Sequence, residues 1–429
     1  MQSIIKQLRA STFLRHNAIL FAGAIGAGAL NYLYYPILGR MLEPSAFGEV
    51  QTLVSLFLQI VIFLNVMGLL TVNIIANNGD NPEAQRTVFE LEKLALIISF
   101  LILIATFALG PILKSFFNFD ELLPFATLAL AIVVSVPATF RTAFLRGKQL
   151  FAMTSIANII GAAAKLALSV IFVLLGFGTT GAILGLVLAQ VISAGYAAVR
   201  ARQNGFGPSL REDIWKLPNM KLVAPELKYA LLVLVGSLTI TAFYSIDIIV
   251  VKHLFDAHTA GLYAGISTVA RIIFFLTATV SQVLMPAIKI KASPKDNQRA
   301  LKNSLVLLLG LGGGALLVFA IVPRLIVQLL MGKDYLEYAS LLPWLSLVIL
   351  IVSVLNLYVS YYMALRQYAI AVIAIMGLAV TCGLVGIHHD SLRAVVDSML
   401  YGTCTMGILL AGWIGARKLK SKQLGGAET

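Results

Sequence analysis

Twelve long apolar runs follow one another along the chain, separated by polar connections, and each is long enough to cross a hydrocarbon core of about 30 Å as a helix. They predict helices near Asn17–Leu38, Phe47–Ile75, Leu91–Leu113, Leu122–Phe144, Phe151–Leu175, Gly181–Val199, Tyr229–Val251, Gly261–Ile288, Ser304–Leu330, Leu341–Leu365, Ala369–Ile387 and Ala394–Ala416. Pro137, Pro286 and Pro343 fall where they would kink or bound a helix without excluding a span. Ahead of the first run, Ile4, Ile5, Leu8 and Phe13 alternate with Lys6, Arg9 and Arg15, the pattern of a short helix lying on a membrane surface. The run itself is longer than the apolar core of a signal peptide, so it reads as a span.

Composition agrees. Apolar residues make up 59% of the 429 and charged residues 12%, half the charged share of a soluble domain, with a mean hydropathy of +0.92. An ordinary soluble protein is excluded, and the length is used by membrane helices. A net charge of +13 and a pI near 9.7 would suit a nucleic-acid partner, but the cations sit between the runs and form no basic domain. Of 32 Lys and Arg, 24 fall at the N-terminus, in alternate connections (76–90, 141–150, 200–228, 289–303 and 366–368, with flanks) and in the tail. The opposite connections hold Arg40, Lys114, Lys252, Arg324, Lys333 and Arg393 beside a larger number of acids. The positive-inside rule then predicts a multi-pass protein of the inner or plasma membrane with both termini cytoplasmic, and the basic pI reflects topology. Residues 76–93 fit least well, since Asp80, Glu83, Glu90 and Glu92 outnumber their cations.

The two halves echo each other. LGRMLEPSAFGEV follows the first run and VKHLFDAHTAGLY the seventh; aligning Gly48 with Gly261 sets Leu42 against Phe255 and Glu43 against Asp256. Ala-Phe-Leu-Arg146 leaves helix 4 as Met-Ala-Leu-Arg366 leaves helix 10. Six helices per half is an even number, so the halves are parallel repeats about an axis normal to the membrane. The expected fold is an all-α integral membrane protein of about twelve transmembrane helices in two pseudo-symmetric six-helix lobes, residues 1–205 and 229–429, joined by a basic cytoplasmic linker at 206–228.

Charges deep in a span mark candidate sites. Lys165 lies near the middle of helix 5 and Arg271 near the middle of helix 8, while Asp247 and Asp397 sit nearer the outer ends of helices 7 and 12. Thr154, Asn158, Gly161, Ala162, Lys165 and Ser169 share one face of helix 5; Ala264, Ser267, Thr268, Arg271, Ala278 and Gln282 share one of helix 8, with Phe275 the exception. One reading gives each lobe a midplane cation facing a watery cavity, suited to an anionic group such as a diphosphate, with Asp247 and Asp397 in ion coupling or gating. The other pairs each cation with Asp247, Asp397 or helix carbonyls, or lets it snorkel, and leaves it a packing role. Asn31, Tyr34, Tyr35 and Pro36 on helix 1, and Asn356, Tyr358, Tyr361 and Tyr362 on helix 10, would line a sugar-binding vestibule or form an aromatic belt. Small-residue faces at Gly23, Gly26 and Gly28, and at Gly310, Gly312, Gly313 and Gly314, permit close helix packing.

Catalytic signals are missing. Cys382 and Cys404 lie inside apolar runs with no disulfide or metal pattern, and the adjacent His388 and His389 do not share a helix face. No phosphate-cradling loop, nucleophile elbow or HExxH stands in the sequence, and GLGGG at 310–314 lies within a span. Neither cofactor nor metal is implied, and the outer connections are too short for the catalytic loop of a membrane glycosyltransferase or polymerase.

The segment Gly-Arg40-Met-Leu-Glu-Pro-Ser-Ala-Phe-Gly48-Glu after helix 1 and Ala260-Gly-Leu-Tyr-Ala-Gly-Ile opening helix 8 resemble segments of the polysaccharide flippases, the Wzx-like branch of the MOP superfamily that also holds MATE drug exporters and the lipid II flippase. Glu43-Pro44 stands where that branch commonly has a glycine. The resemblance covers essentially the whole chain. It implies export of a polyprenyl-diphosphate-linked oligosaccharide from the cytoplasmic to the outer leaflet by alternating access, for surface polysaccharide such as lipopolysaccharide O-antigen. Membrane lipids would be its surroundings, with H⁺, Na⁺ or the membrane potential alone as the drive. On that reading Arg271, Lys165, Asn158, Ser267, Gln282 and Asn31 would bind substrate, although no family motif assigns them. A MATE-like exporter of cations would show acids in its cavity, and here the midplane charges are positive.

Overall fold

The computed structural model describes residues 23–78, 81–206, 217–288, 294–365, 367 and 369–425; the side chains of 225, 228, 229, 232, 282, 283, 285–287, 294 and 418–425 are outside that set. The surface helix expected over 1–15, Arg366 and residues 207–216 of the linker therefore lie outside the described residues, as does the Gln282 side chain.

Among the described residues there are helices and no strands. Helix α1 covers residues 23–41. It is followed by α2 (Pro44–Asn78), α3 (Pro82–Ala108), α4 (Gly110–Phe116), α5 (Leu123–Gly147), α6 (Phe151–Leu174), α7 (Gly178–Gln203), α8 (Met220–Leu254), α9 (Ala257–Ala270), α10 (Ile272–Ala287), α11 (Pro294–Ile321), α12 (Pro323–Leu330), α13 (Leu342–Ala364), α14 (Ala369–Ile387) and α15 (Leu392–Gly425). Eleven segments are long and apolar enough to cross a membrane, and α1 precedes them, which accounts for all twelve expected spans.

Three expected helices are divided, two of them at a proline. Pro111 stands in the first turn of α4 and Pro323 in that of α12, and a proline there lacks the N–H that would continue the preceding ladder. The third interruption is Arg271, between α9 and α10, where no proline stands. The i→i−4 bonds from Arg271 N–H to Ser267 C=O (3.0 Å) and from Phe275 N–H to Arg271 C=O (3.1 Å) nonetheless persist.

Two compact units divide the chain at Leu234/Val235, inside α8. In the first, α5 packs on α2, α3 and α7, and α6 runs along α7. Val223 and Ala230 of α8 are buried in the same core as Ile62, Leu64, Val88, Leu91, Val136 and Phe140. The α6–α7 approach is close: a Cβ added at Gly185 would collide with the Ser169 backbone, and the Ser169 hydroxyl donates to Ala182 C=O at 2.8 Å. Of the expected small-residue faces, Gly23 meets Ser155 and Gly312 meets Leu350 too closely for a Cβ, whereas Gly28, Gly310, Gly313 and Gly314 have open space beside them.

The acids that disturb the charge pattern of 76–93 are engaged within this first unit. Glu90 Oε2 accepts from Lys93 Nζ (2.8 Å) and from the N–H of Asn219 at the start of α8 (2.8 Å). Arg141 of α5 donates to Glu92 at 2.5 Å, and its guanidinium lies 4.6 Å from the Phe206 ring centre. Gln85 Nε2 donates to Gly205 C=O at 3.1 Å. Both described flanks of the 207–216 stretch are thus fastened to α3 and α5. Glu90, Glu92 and Lys93 are buried, so the ties made by the two acids are shielded from water, while that of Gln85 is exposed.

In the second unit α10 packs on α11 and α13, α14 on α15, and α13 on α15. The echo between halves is visible in hydrogen bonding. Phe47 N–H donates to Glu43 C=O, and Ala260 N–H donates to Asp256 C=O, both at 2.9 Å, so α2 and α9 start in the register that aligning Gly48 with Gly261 requires. The two caps differ, since Pro44 opens α2 while the Asp256 side chain accepts from His258 and Thr259 N–H at 3.0 Å each.

Candidate functional site

A cavity of about 470 Å³ lies in the first unit, between α2, α5, α6 and α7. Its wall is polar in a way that a lipid-packed or dry interhelical gap would not be. Asn65 of α2, Asn158 of α6 and Gln190 of α7 bring three carboxamides, and Arg146, at the end of α5, brings a guanidinium. None of these four side chains has a hydrogen-bond or ion-pair partner among the described residues. The hydroxyls beside them are already committed: Thr139 donates to Ser135 C=O (2.9 Å), Thr142 to Ala138 C=O, Thr154 to Leu150 C=O (3.3 Å) and Ser193 to Ala157 C=O (3.1 Å). They keep lone pairs to offer but no proton, while the amides and the guanidinium keep both directions or all their donors. No acid lines the cavity among the described residues. Such a wall would receive an anion at Arg146 and hydroxyl-rich groups at the amides, which both donate and accept.

Lys165 lies two turns beyond Asn158 on α6, roughly 10 Å further at 1.5 Å per residue. Its Nζ is 4.3 Å from the Tyr34 ring centre and 5.8 Å from that of Tyr35, and it has no acidic partner among the described residues. Tyr34 is fully buried and donates to Ala182 C=O at 3.5 Å, so α1 and α7 hold the ring under the ammonium. The two tyrosines read in the sequence as vestibule or belt thus form an aromatic seat for a cation. Asn31 turns back on its own helix, with Nδ2 donating to Ala27 C=O at 2.9 Å. On α13, Tyr361 and Tyr362 stack edge to face, and Tyr362 does the same with Trp413.

Arg271, Asp247 and Ser267 come together in the second unit. Arg271 Nη2 lies 2.7 Å from Asp247 Oδ1, and Asp247 Oδ2 accepts from the Ser267 hydroxyl (2.5 Å) and the Tyr263 hydroxyl (3.2 Å). Tyr263 also stands 3.6 Å from Met399 Sδ, and the Arg271 guanidinium 5.9 Å from the Tyr244 ring centre. All four members are buried, with Arg271 5% and Asp247 3% exposed. Arg271 is therefore paired and not presented to an open space, while its Nε stays without a hydrogen-bond partner among the described residues. Asp397 is apart from this group: it pairs with Arg393 one turn earlier (3.0 Å), both partly exposed, and Arg393 lies 4.0 Å from the Trp344 ring centre.

Of the residues singled out from sequence, the structure gathers Asp247, Ser267 and Arg271 in one cluster and sets Asn158 in a cavity wall. Arg146, Asn65 and Gln190 were not singled out as site residues. Asn65 and Gln190 had a legible signal, an amide inside an apolar run. Arg146 stood at a helix end among other cations and had none.

Comparison with known proteins agrees with this architecture. The model of a family described as polysaccharide biosynthesis protein matches residues 37–340. No curated protein matches the sequence. Among solved structures, an inward-facing multidrug resistance MATE family transporter of the MOP superfamily superposes with a TM-score of 0.68 at 16% identity, covering 92% of this chain and 96% of that one. A MATE in complex with MaD3S gives 0.65 at 17%, covering 95% and 96%. A MOP superfamily transporter from Pyrococcus furiosus, described as having a binding pocket of reverse polarity that suggests a different function, gives 0.60 at 16%, covering 95% and 96%.

Proposed function

Because the chain belongs to the polysaccharide biosynthesis protein family and has the fold of the MATE transporters, we propose that it is a flippase carrying polyprenyl-diphosphate-linked oligosaccharide from the cytoplasmic to the outer leaflet of the plasma membrane. The observation that carries this reading is the first unit's cavity, whose one charged lining residue, among those described, is the cation Arg146. A site that moves organic cations needs acids at that place, and a diphosphate needs the reverse. In this mechanism Arg146 takes the diphosphate, Asn65, Asn158 and Gln190 hydrogen-bond the sugar hydroxyls, and the polyprenyl tail remains in lipid. Lys165, two turns further along α6 on its tyrosine seat, is the next cation the diphosphate meets as it moves outward. Both termini are cytoplasmic in this scheme. The chain's own groups bind and release, and no bond in the substrate is made or broken.

The test is lipid extraction from cells lacking the protein, with mass spectrometry of lipid-linked oligosaccharides and assignment of the leaflet that holds them. Completed units should accumulate on the cytoplasmic side and clear when the intact gene is restored. Completed units reaching the outer face and stalling there would overturn the proposal in favour of an assembly role. Unchanged lipid-linked sugars, with altered resistance to cationic drugs, would favour a MATE-like exporter.

A further inference from the structure

The Asp247 cluster has the composition of a cation site. The hydroxyls of Tyr263 and Ser267 both donate to Oδ2 of the buried Asp247 carboxylate, and oxygen groups of this kind, gathered around one carboxylate, suit hard cations such as Na⁺. A buried carboxylate needs a counter-charge, since an isolated one is strongly penalised. Here the counter-charge comes from the same unit, as Arg271 Nη2 at 2.7 Å. Three of the carboxylate's roughly four acceptor positions are taken, one on Oδ1 by the guanidinium and two on Oδ2 by the hydroxyls, and the guanidinium already supplies the charge that a free ion would bring. Arg271 stands at the junction of α9 and α10 with its i→i−4 bonds to either side kept, so the span carries the guanidinium to Asp247 on helical backbone.

We propose that the Asp247–Tyr263–Ser267 cluster is a cation site whose permanent occupant is the guanidinium of Arg271, so that the protein binds no free metal cation there. The side chain acts as a tethered ion, and Asp247 has no role in coupling to Na⁺. Removing the tether while keeping the three oxygen donors converts the cluster into a site that a free cation can fill.

The experiment uses the full-length protein in detergent, with the thermal unfolding midpoint followed as NaCl replaces N-methylglucamine chloride at constant ionic strength. The wild-type midpoint should not respond. Arg271→Ala should unfold at a lower temperature in N-methylglucamine and recover saturably with Na⁺, the shift growing with the logarithm of concentration above the dissociation constant. Adding Asp247→Asn to that variant should abolish the recovery. An Arg271→Ala protein that folds and gains nothing from Na⁺ overturns the proposal. Should that variant fail to fold, equilibrium binding of ²²Na⁺ decides. Wild-type protein that binds none supports the proposal, as does binding that persists in the double variant Asp247→Asn, Arg271→Gln; wild-type binding that this double variant loses overturns it. No readout involves a lipid-linked sugar, so this proposal and the flippase reading fail separately.

Discussion

Arg146 and Arg271 are both arginines within or at the end of a membrane helix, yet their substitutions should differ in kind. Arg146 has no partner among the described residues, so Arg146→Ala leaves no buried charge stranded and should preserve the thermal midpoint in detergent. If its guanidinium holds the diphosphate, losing charge-assisted hydrogen bonds worth about 1.5–3 kcal/mol should cut flipping about 10- to 100-fold. Arg146→Lys should recover part of that rate, since the charge returns without the bidentate fork. A full rate in proteoliposomes bearing Arg146→Ala would remove this residue from the mechanism. Arg271→Ala strands the Asp247 carboxylate, and breaking a buried pair costs about 3–5 kcal/mol, so without added cation this variant should first lose stability. The sequence made Arg271 visible because it stands alone in an apolar run. Its partner was one of several open possibilities, since pairing across 24 residues depends on how α8 and α9 meet.

At the scale of elements, caps and ties give two expectations. The Asp256 carboxyl is held below its ordinary value of 3.8 by hydrogen bonds from Thr259 first and His258 further down. A depressed folded pKa means that its contribution is complete above the unfolded value and is lost as pH falls through the folded one. Asp256→Ala should therefore cost about 1 kcal/mol at neutral pH and less in acid below the ordinary carboxylate range, read as the difference in unfolding midpoint from wild type at each pH. Asp256→Asn, which caps without titrating, should keep most of the stability at both. Glu92→Gln removes the charge that faces Arg141 and should lower stability by about 1.5–3 kcal/mol, measured in detergent, even though the site cavity is untouched. Helix positions were legible because apolar runs of this length have one reading in a bilayer, and Ala369–Ile387 has the same ends in the sequence reading and the structure. The interruptions at Leu109 and Val322 had their prolines in plain view, but inside a long run a proline is compatible with either a kink or a break. The role of Glu90 and Glu92 was not legible, because it depends on Asn219 and Arg141, distant along the chain.

For the molecule as a whole, a substrate that leaves as an anion would be moved by the membrane potential itself. A potential negative inside favours outward movement of an anion by about 2.3 kcal/mol per charge per 100 mV. Flipping by reconstituted protein should therefore accelerate when a potassium diffusion potential of that sign is imposed and slow when it is reversed; indifference to the potential would argue for an ion-coupled cycle. The distribution of burial fits a body in lipid: the α9–α10 span is mostly buried, whereas α6 and α11 bury few of their residues. Large apolar side chains such as Ile104, Phe107, Leu174, Leu317 and Ile321 face outward. Composition foretold that surface, but not where the chain divides. One continuous helix, α8, supplies Val223 and Ala230 to the core of the first unit and Asp247 to the cluster of the second. A gene split within codons 207–216 would thus hand the downstream fragment a piece of the upstream fragment's interior, and neither product should be stable until the two are made together in one cell.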